Sequence, residues 1–99
     1  MVTSFKNEVQ TITTTSSQVL PDRSSLSQNR LSFIITNTGA TIIWLAIDAE
    51  AVIGAGIPLY AGGSIERVVG GAVLPPQKAI NAISSEIGGT ISVFEEVRQ

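Results

Sequence analysis

Hydrophobic and polar positions alternate most clearly across residues 29–66, NRLSFIITNTGATIIWLAIDAEAVIGAGIPLYAGGSIE. Over 29–36, Leu31, Phe33 and Ile35 fall on one side of an extended chain, and Ser32, Ile34 and Thr36 on the other. Residues 41–47 repeat the pattern, with Ile43, Leu45 and Ile47 on one side and Ile42, Trp44 and Ala46 on the other. This segment is apolar on both sides, which predicts a strand inside a sandwich or against another chain. Its β-branched residues and tryptophan, with no helix cap before them, favour strand over helix. Asn37-Thr38-Gly39 tolerates the positive φ of a short connection, so the spacing predicts a hairpin.

Downstream, residues 48–56 are rich in small side chains and predict a loop. Pro58 to Gly63 predicts a turn, and 64–69 a strand whose imperfect alternation (Ile65 and Val69 sharing a side with Arg67) suggests a bulge. Gly70-Gly71 and Pro75-Pro76 bracket the short Ala72-Val73-Leu74 segment. Residues 79–84 predict a strand, 85–89 a hairpin connection and 90–97 the last strand, in which Ile91, Val93 and Val97 share a side with Glu95. Upstream, residues 1–28 are rich in Ser, Thr and Gln. They predict an extended arm or an edge strand around Thr11 to Thr15, closed by Val19-Leu20-Pro21, with a turn at Asp22 to Ser25. The fold class is therefore all-β: a small antiparallel β-sandwich or barrel of about six to eight strands, its domain at 29–99 and an N-terminal arm at 1–28.

Composition turns attention to surfaces. A monomer of 99 residues removes only about 60–65 % of its unfolded surface from water. Yet hydrophobic residues make up 43 % of the chain, charged ones 14 %, and mean hydropathy is +0.33, which predicts an oligomer or a subunit of a larger assembly. The chain has neither histidine nor cysteine. That removes disulfides, thiolate and imidazole zinc ligands and most nucleophilic or acid–base sites, so no enzyme activity and no cofactor are expected. A net charge of −2 with singly spaced basic residues gives no footprint for nucleic acid. No apolar run is long enough for a signal peptide or a membrane span, which predicts a protein made in the cytoplasm that meets no membrane.

Candidate chemistry is sparse. Asp48 and Glu50 stand two apart beside a glycine-rich loop, but calcium needs six to eight oxygens and the neighbours are Ala, Val and Ile; solvated loop carboxylates are the stronger reading. Gly54-Ala55-Gly56 opens like a nucleotide fingerprint but lacks the third glycine and the helix, and reads as a turn. The serine pairs have no lysine at S-x-x-K spacing. Glu95 and Glu96 are adjacent in a strand, point to opposite faces and read as solvated, edge-protecting charges. Trp44 and Tyr60 remain, as interface anchors or as stacking platforms for a sugar. The predicted interface residues are Ile12, Ile34, Ile42, Trp44 and Tyr60; no catalytic or metal-binding residue is predicted.

Four segments together carry a likeness: Leu31 to Gly39 ending in an N-x-G turn, Ile42 to Leu45, Gly56 to Ser64 (GIPLYAGGS) and Ala82 to Glu95. In this order the chain, over roughly residues 29–96, resembles the small all-β virion proteins of tailed phages, of the capsid decoration or cement type. The resemblance implies a non-enzymatic protein on the outer capsid surface of the virion, a homo-oligomer and often a trimer. Its partner would be the major capsid protein, and it would bridge capsomers against internal DNA pressure. Similar domains occur in head fibres and tail parts, which keeps a fibre or carbohydrate-binding module using Trp44 and Tyr60 as the alternative.

Overall fold

The structure is a computed structural model that describes residues 3–24, 29–70 and 74–98. It contains β1 (Thr3–Ile12), β2 (Ser17–Leu20), β3 (Arg30–Asn37), β4 (Ile43–Ile47), β5 (Ile57–Leu59), β6 (Ser64–Val68), β7 (Ile80–Ser84) and β8 (Gly89–Arg98). These strands form two four-stranded antiparallel sheets, sheet A in the order β1-β8-β3-β6 and sheet B in the order β2-β7-β4-β5. Among them only β4 and β5 are chain neighbours within one sheet; every other connection crosses between sheets. This strand order is that of an eight-stranded jelly roll, so the expected antiparallel β-sandwich holds.

The inward faces follow the two-residue period. Phe33 and Ile35 of β3 meet Ile43 and Leu45 of β4 in one core, with Ile12, Val19, Leu20, Leu59, Ile65, Ile80, Ala82, Ile91 and Val93. Ile12 is therefore core, only 1 % exposed, and is withdrawn from the interface residues. Nor are the first twenty residues a separate arm. β1 pairs with β8 along its whole length and is the edge strand of sheet A, while β2 pairs with β7 at the edge of sheet B. The expected turn at Ser25 and the 71–73 part of the Gly/Pro-bracketed segment lie outside the described residues.

Both expected hairpins are instead arches between the sheets. β3 pairs with β6 and β8 but not with β4, and β7 pairs with β2 and β4 but not with β8. The reason lies in what two-faced strands require: β3 and β4 each present an apolar row, and the rows are buried together only when the strands lie in opposite layers. Asn37 makes the first arch. Fully buried, it donates from Nδ2 to Thr41 O at 2.7 Å and Leu59 O at 2.8 Å, and its Oδ1 accepts from Gly39 N at 3.0 Å.

The same residue holds the turn after β5. Gly63 N donates to Tyr60 O at 2.7 Å with Gly62 at φ 80°, a type II turn that needs glycine at its third position. Gly62 N donates to Asn37 O at 2.9 Å, and Asn37 N to Gly63 O at 2.8 Å. The N-x-G and GIPLYAGGS segments are thus two halves of one joint, and Pro58, expected in the turn, lies in β5 ahead of it. The expected bulge in 64–69 is absent: β6 pairs in register with β3, and the irregularity falls on β3 between Arg30 and Ser32, opposite β8.

Asn37→Ala would leave two buried carbonyls and one amide without partners. We expect it to cost roughly 2–4 kcal/mol, read as a lower urea midpoint with an unchanged m-value.

Candidate functional sites

The only buried charges among the described residues stand at the end of the sandwich opposite Asn37. The register shift on β3 sets Arg30 opposite Val97, on the inward side, where it is 0 % exposed beside an equally buried Glu95 of β8. Arg30 Nε donates to Glu95 Oε2 at 2.8 Å, and Arg23 Nη2 to Glu95 Oε1 at 2.9 Å. The remaining Arg30 donors go to main-chain carbonyls: Nη1 to Pro76 O at 2.6 Å and Lys78 O at 3.2 Å, Nη2 to Pro21 O at 2.6 Å. Gln77 exchanges two bonds with the backbone of Arg30, at 2.7 and 2.8 Å, and its carbonyl accepts from Arg23 N at 2.7 Å. Arg30 also lies over the Phe33 ring, 5.8 Å from its centroid.

Every buried side-chain polar atom among the described residues has a partner. The buried donors and acceptors of the cluster are thus engaged with one another and with main-chain carbonyls. Burial pushes the Glu95 carboxyl up, but the hydrogen bonds and charges of Arg23 and Arg30 outweigh burial and hold it below the ordinary glutamate value. Glu95 and Glu96 do point to opposite faces, yet Glu95 is not solvated as expected: it is the core's counter-ion.

The other candidates resolve into backbone roles. Asp48 and Glu50 are exposed, and no group of three or more acidic side chains that could hold a metal occurs among the described residues. Asp48 adopts φ 60° to open the β4–β5 loop, a conformation aspartate tolerates. Gly56 closes that loop at φ 93°, where a Cβ would clash with the Leu45 carbonyl oxygen. Ser84 is buried, with its Oγ 2.7 Å from Thr41 Oγ1. No pocket is found among the described residues.

The outer faces of the two sheets differ. On sheet B, Trp44 stands between its cross-strand neighbours Ile83 of β7 and Pro58 of β5, and Ala46 lies opposite Asn81. The β4–β5 loop folds back over this face: Asn81 Nδ2 donates to Ala49 O at 2.6 Å, and Ala51 N donates to Ser16 Oγ at 2.9 Å. Ala51 is buried there, and Ile42, Trp44 and Ala46 are only half-exposed. The apolar outer side of β4 is thus partly covered from within the same chain. Tyr60 is exposed on the turn after β5.

Sheet A has no such cover among the described residues. Its outer face carries Phe5 and Val9 of β1, Phe94 of β8, Ile34 of β3 and Val68 of β6. Phe94 and Ile34 are direct cross-strand neighbours, and the Phe5 and Phe94 rings lie 6.0 Å apart. Phe5, Val9 and Val68 are well exposed. The structure therefore puts Ile34 on the opposite side of the sandwich from Ile42 and Trp44. Phe5, Val9 and Val68 carry no interface signal in the sequence, where polar residues flank each of Phe5 and Val9.

No protein-family model matches this chain, and no curated protein matches it significantly.

Because its folded-state pKa is depressed, Glu95 contributes stability that is complete above the unfolded glutamate value, about 4.3, and is lost as pH falls through the lower folded value. Glu95→Gln leaves Arg30 buried without its counter-charge. It is expected to cost roughly 3–5 kcal/mol at neutral pH and to flatten the acid limb, as measured by denaturant titrations between pH 3 and 7.

Proposed function

We propose that this chain is a structural, non-enzymatic subunit of a tailed-phage virion. It self-associates on the outer surface of the capsid and bridges capsomers, with the major capsid protein as its partner. The observation that carries this reading is the outer face of sheet A, where Phe5, Phe94 and Ile34 meet across three strands and Val9 and Val68 stand exposed among polar neighbours such as Ser92, Ser32 and Glu96. Large apolar side chains grouped on an exposed face of a small domain, rimmed by polar residues, favour an interaction site. Repetition over a lattice multiplies weak single contacts into avidity. Jelly rolls recur in viral capsid and lectin domains, a fold-level analogy that supports the resemblance in motif order without replacing it.

The alternative is a fibre or tail module that binds carbohydrate through Trp44 and Tyr60. Tyr60 is free to stack, but the β4–β5 loop fastened over sheet B narrows access to Trp44, which makes this the weaker reading.

The test is co-sedimentation with empty shells assembled from a tailed-phage major capsid protein of the same genome. Binding should saturate at a ratio fixed by the shell lattice, with three copies per local three-fold position for a trimer. Ile34→Glu, in the middle of the sheet A face, should weaken it at least about tenfold, equivalent to about 1.4 kcal/mol, while the unfolding midpoint changes little. Absence of binding at high micromolar concentration, together with a glycan-array signal abolished by Trp44→Ala, would replace this reading with the alternative.

A further inference from the structure

β1 is a ten-residue edge strand with an unbroken register to β8. Edge strands are usually blunted by proline, a bulge or inward-pointing charges, because open backbone groups invite another strand. β1 has no proline and no bulge, only two inward charges, Lys6 and Glu8. Its backbone direction follows from the neighbouring pair. Arg98 N donates to Asn29 O and Thr90 O accepts from Thr38 N, so the even-numbered residues of β8 turn their backbone groups toward β3 and the odd-numbered ones toward β1. By the register, Lys6, Glu8 and Gln10 engage β8, and Phe5, Asn7 and Val9 direct their N–H and C=O groups to the open edge.

We propose that this edge pairs with the same edge of a second copy of the chain, antiparallel, about a two-fold axis at Asn7. A two-fold contact requires that if residue i meets residue j, then j meets i. Centred on Asn7, the strand satisfies this on both faces. On the outer face Phe5 lies opposite Val9 of the partner subunit; the two are 59 % and 74 % exposed in the single copy. On the inner face Lys6 lies opposite Glu8 of the partner subunit, twice. In the single copy Lys6 and Glu8 form an ion pair at 3.4 Å, with side chains 35 % and 41 % exposed, and Glu8 Oε1 also accepts from Gln10 Nε2 at 2.5 Å. Same-face pairing allows neighbouring registers only in steps of one residue in the centre. A centre at Lys6 opposes two lysines and a centre at Glu8 opposes two glutamates, so the charges favour this register over its immediate neighbours, and centres further out pair fewer residues of the strand.

The resulting sheet of eight strands sets the Phe5–Val9 pairs of the two copies on one continuous outer face. In a decorated shell it would link copies from neighbouring three-fold clusters. The contact itself does not depend on the capsid reading: a chain that pairs through β1 but ignores shells overturns that reading alone.

The chain has no cysteine, so Asn7→Cys reports the axis directly. In a hydrogen-bonded antiparallel pair, opposed Cα atoms lie about 5.5 Å apart, within disulfide range. Oxidised Asn7→Cys should run as a covalent dimer on non-reducing denaturing gels, and Phe5→Cys, which faces Val9 of the partner subunit, should not. Adding Glu8→Lys or Lys6→Glu to Asn7→Cys places like charges opposite each other twice and should lower the cross-linking rate at fixed concentration roughly tenfold. Adding both together should restore it. Circular dichroism and thermal unfolding keep folding separate from pairing. A folded Asn7→Cys chain that does not cross-link, equal cross-linking by Phe5→Cys, or a charge-swapped triple variant that fails to recover would each overturn the proposal.

Discussion

Arg30 and Glu95 stand in the floor of the sandwich with no water-exposed surface, 65 positions apart in the chain, and four segments of the fold meet on them. β3 contributes Arg30, β8 contributes Glu95, the segment after β2 contributes Arg23 and the Pro21 carbonyl, and the segment before β7 contributes the Pro76 and Lys78 carbonyls. A buried ion pair is weak evidence for net stability, since an apolar replacement of both partners is often as stable. What the geometry supports is specificity. The two irregular segments have little apolar area to hold them down, and Arg30 ties both of their main chains to the sheet A strand beside them. Losing the carboxylate therefore releases loops and charge together.

Asn37 does at the opposite end with an amide what Arg30 does with a guanidinium. Each side chain bonds a carbonyl of a segment remote in sequence, Leu59 for Asn37 and Pro76 for Arg30, and each stands at one end of the same strand, β3. Between these two polar ends the interior is apolar, so β3 is the axis on which a chain that keeps switching layers is kept in place. The cost of this topology is entropic, because almost every strand pairing closes a long loop. Short polar joints that fix the crossing points offset part of it by narrowing the arrangements the arches can adopt.

Much of this was legible, and the misses have a common cause. The alternation of Phe33 with Ile35 and of Ile43 with Leu45 identified the inward rows correctly, because side-chain parity is a local property of extended chain. Parity says which face a residue joins, never which strand lies beside it. Asn37-Thr38-Gly39 and the 85–89 segment therefore read equally well as hairpins and as arches. The bulge on β3 shifted parity at Arg30, so an arginine that a strict alternation would turn outward lies inside. Glu95 was correctly aligned with Ile91 and Val93 but read as solvated, since its counter-charges are supplied by residues 65 and 72 positions away. Ile12 looked like an isolated apolar residue in a Thr-rich stretch. Only the pairing of β1 with β8, at the far end of the chain, puts it in the core.

These misses also move the surface that matters. The apolar outer side of β4 was the reason to expect partners, and the chain answers part of that need itself by laying the β4–β5 loop across it. The unmet need lies on sheet A, on strands that looked unremarkable in sequence. Phe5 and Val9 are separated by polar residues at β1, and Phe94 sits between Ser92 and Glu96 along β8. They become a patch only when β1, β8 and β3 are set side by side, which brings Phe5, Phe94 and Ile34 together across three strands from both ends and the middle of the chain. A small domain can leave such a surface wet only at a standing risk of uncontrolled association. Opposite charges placed symmetrically on the adjoining edge turn that risk toward one arrangement, because they penalise the two neighbouring registers while favouring an identical edge in reverse.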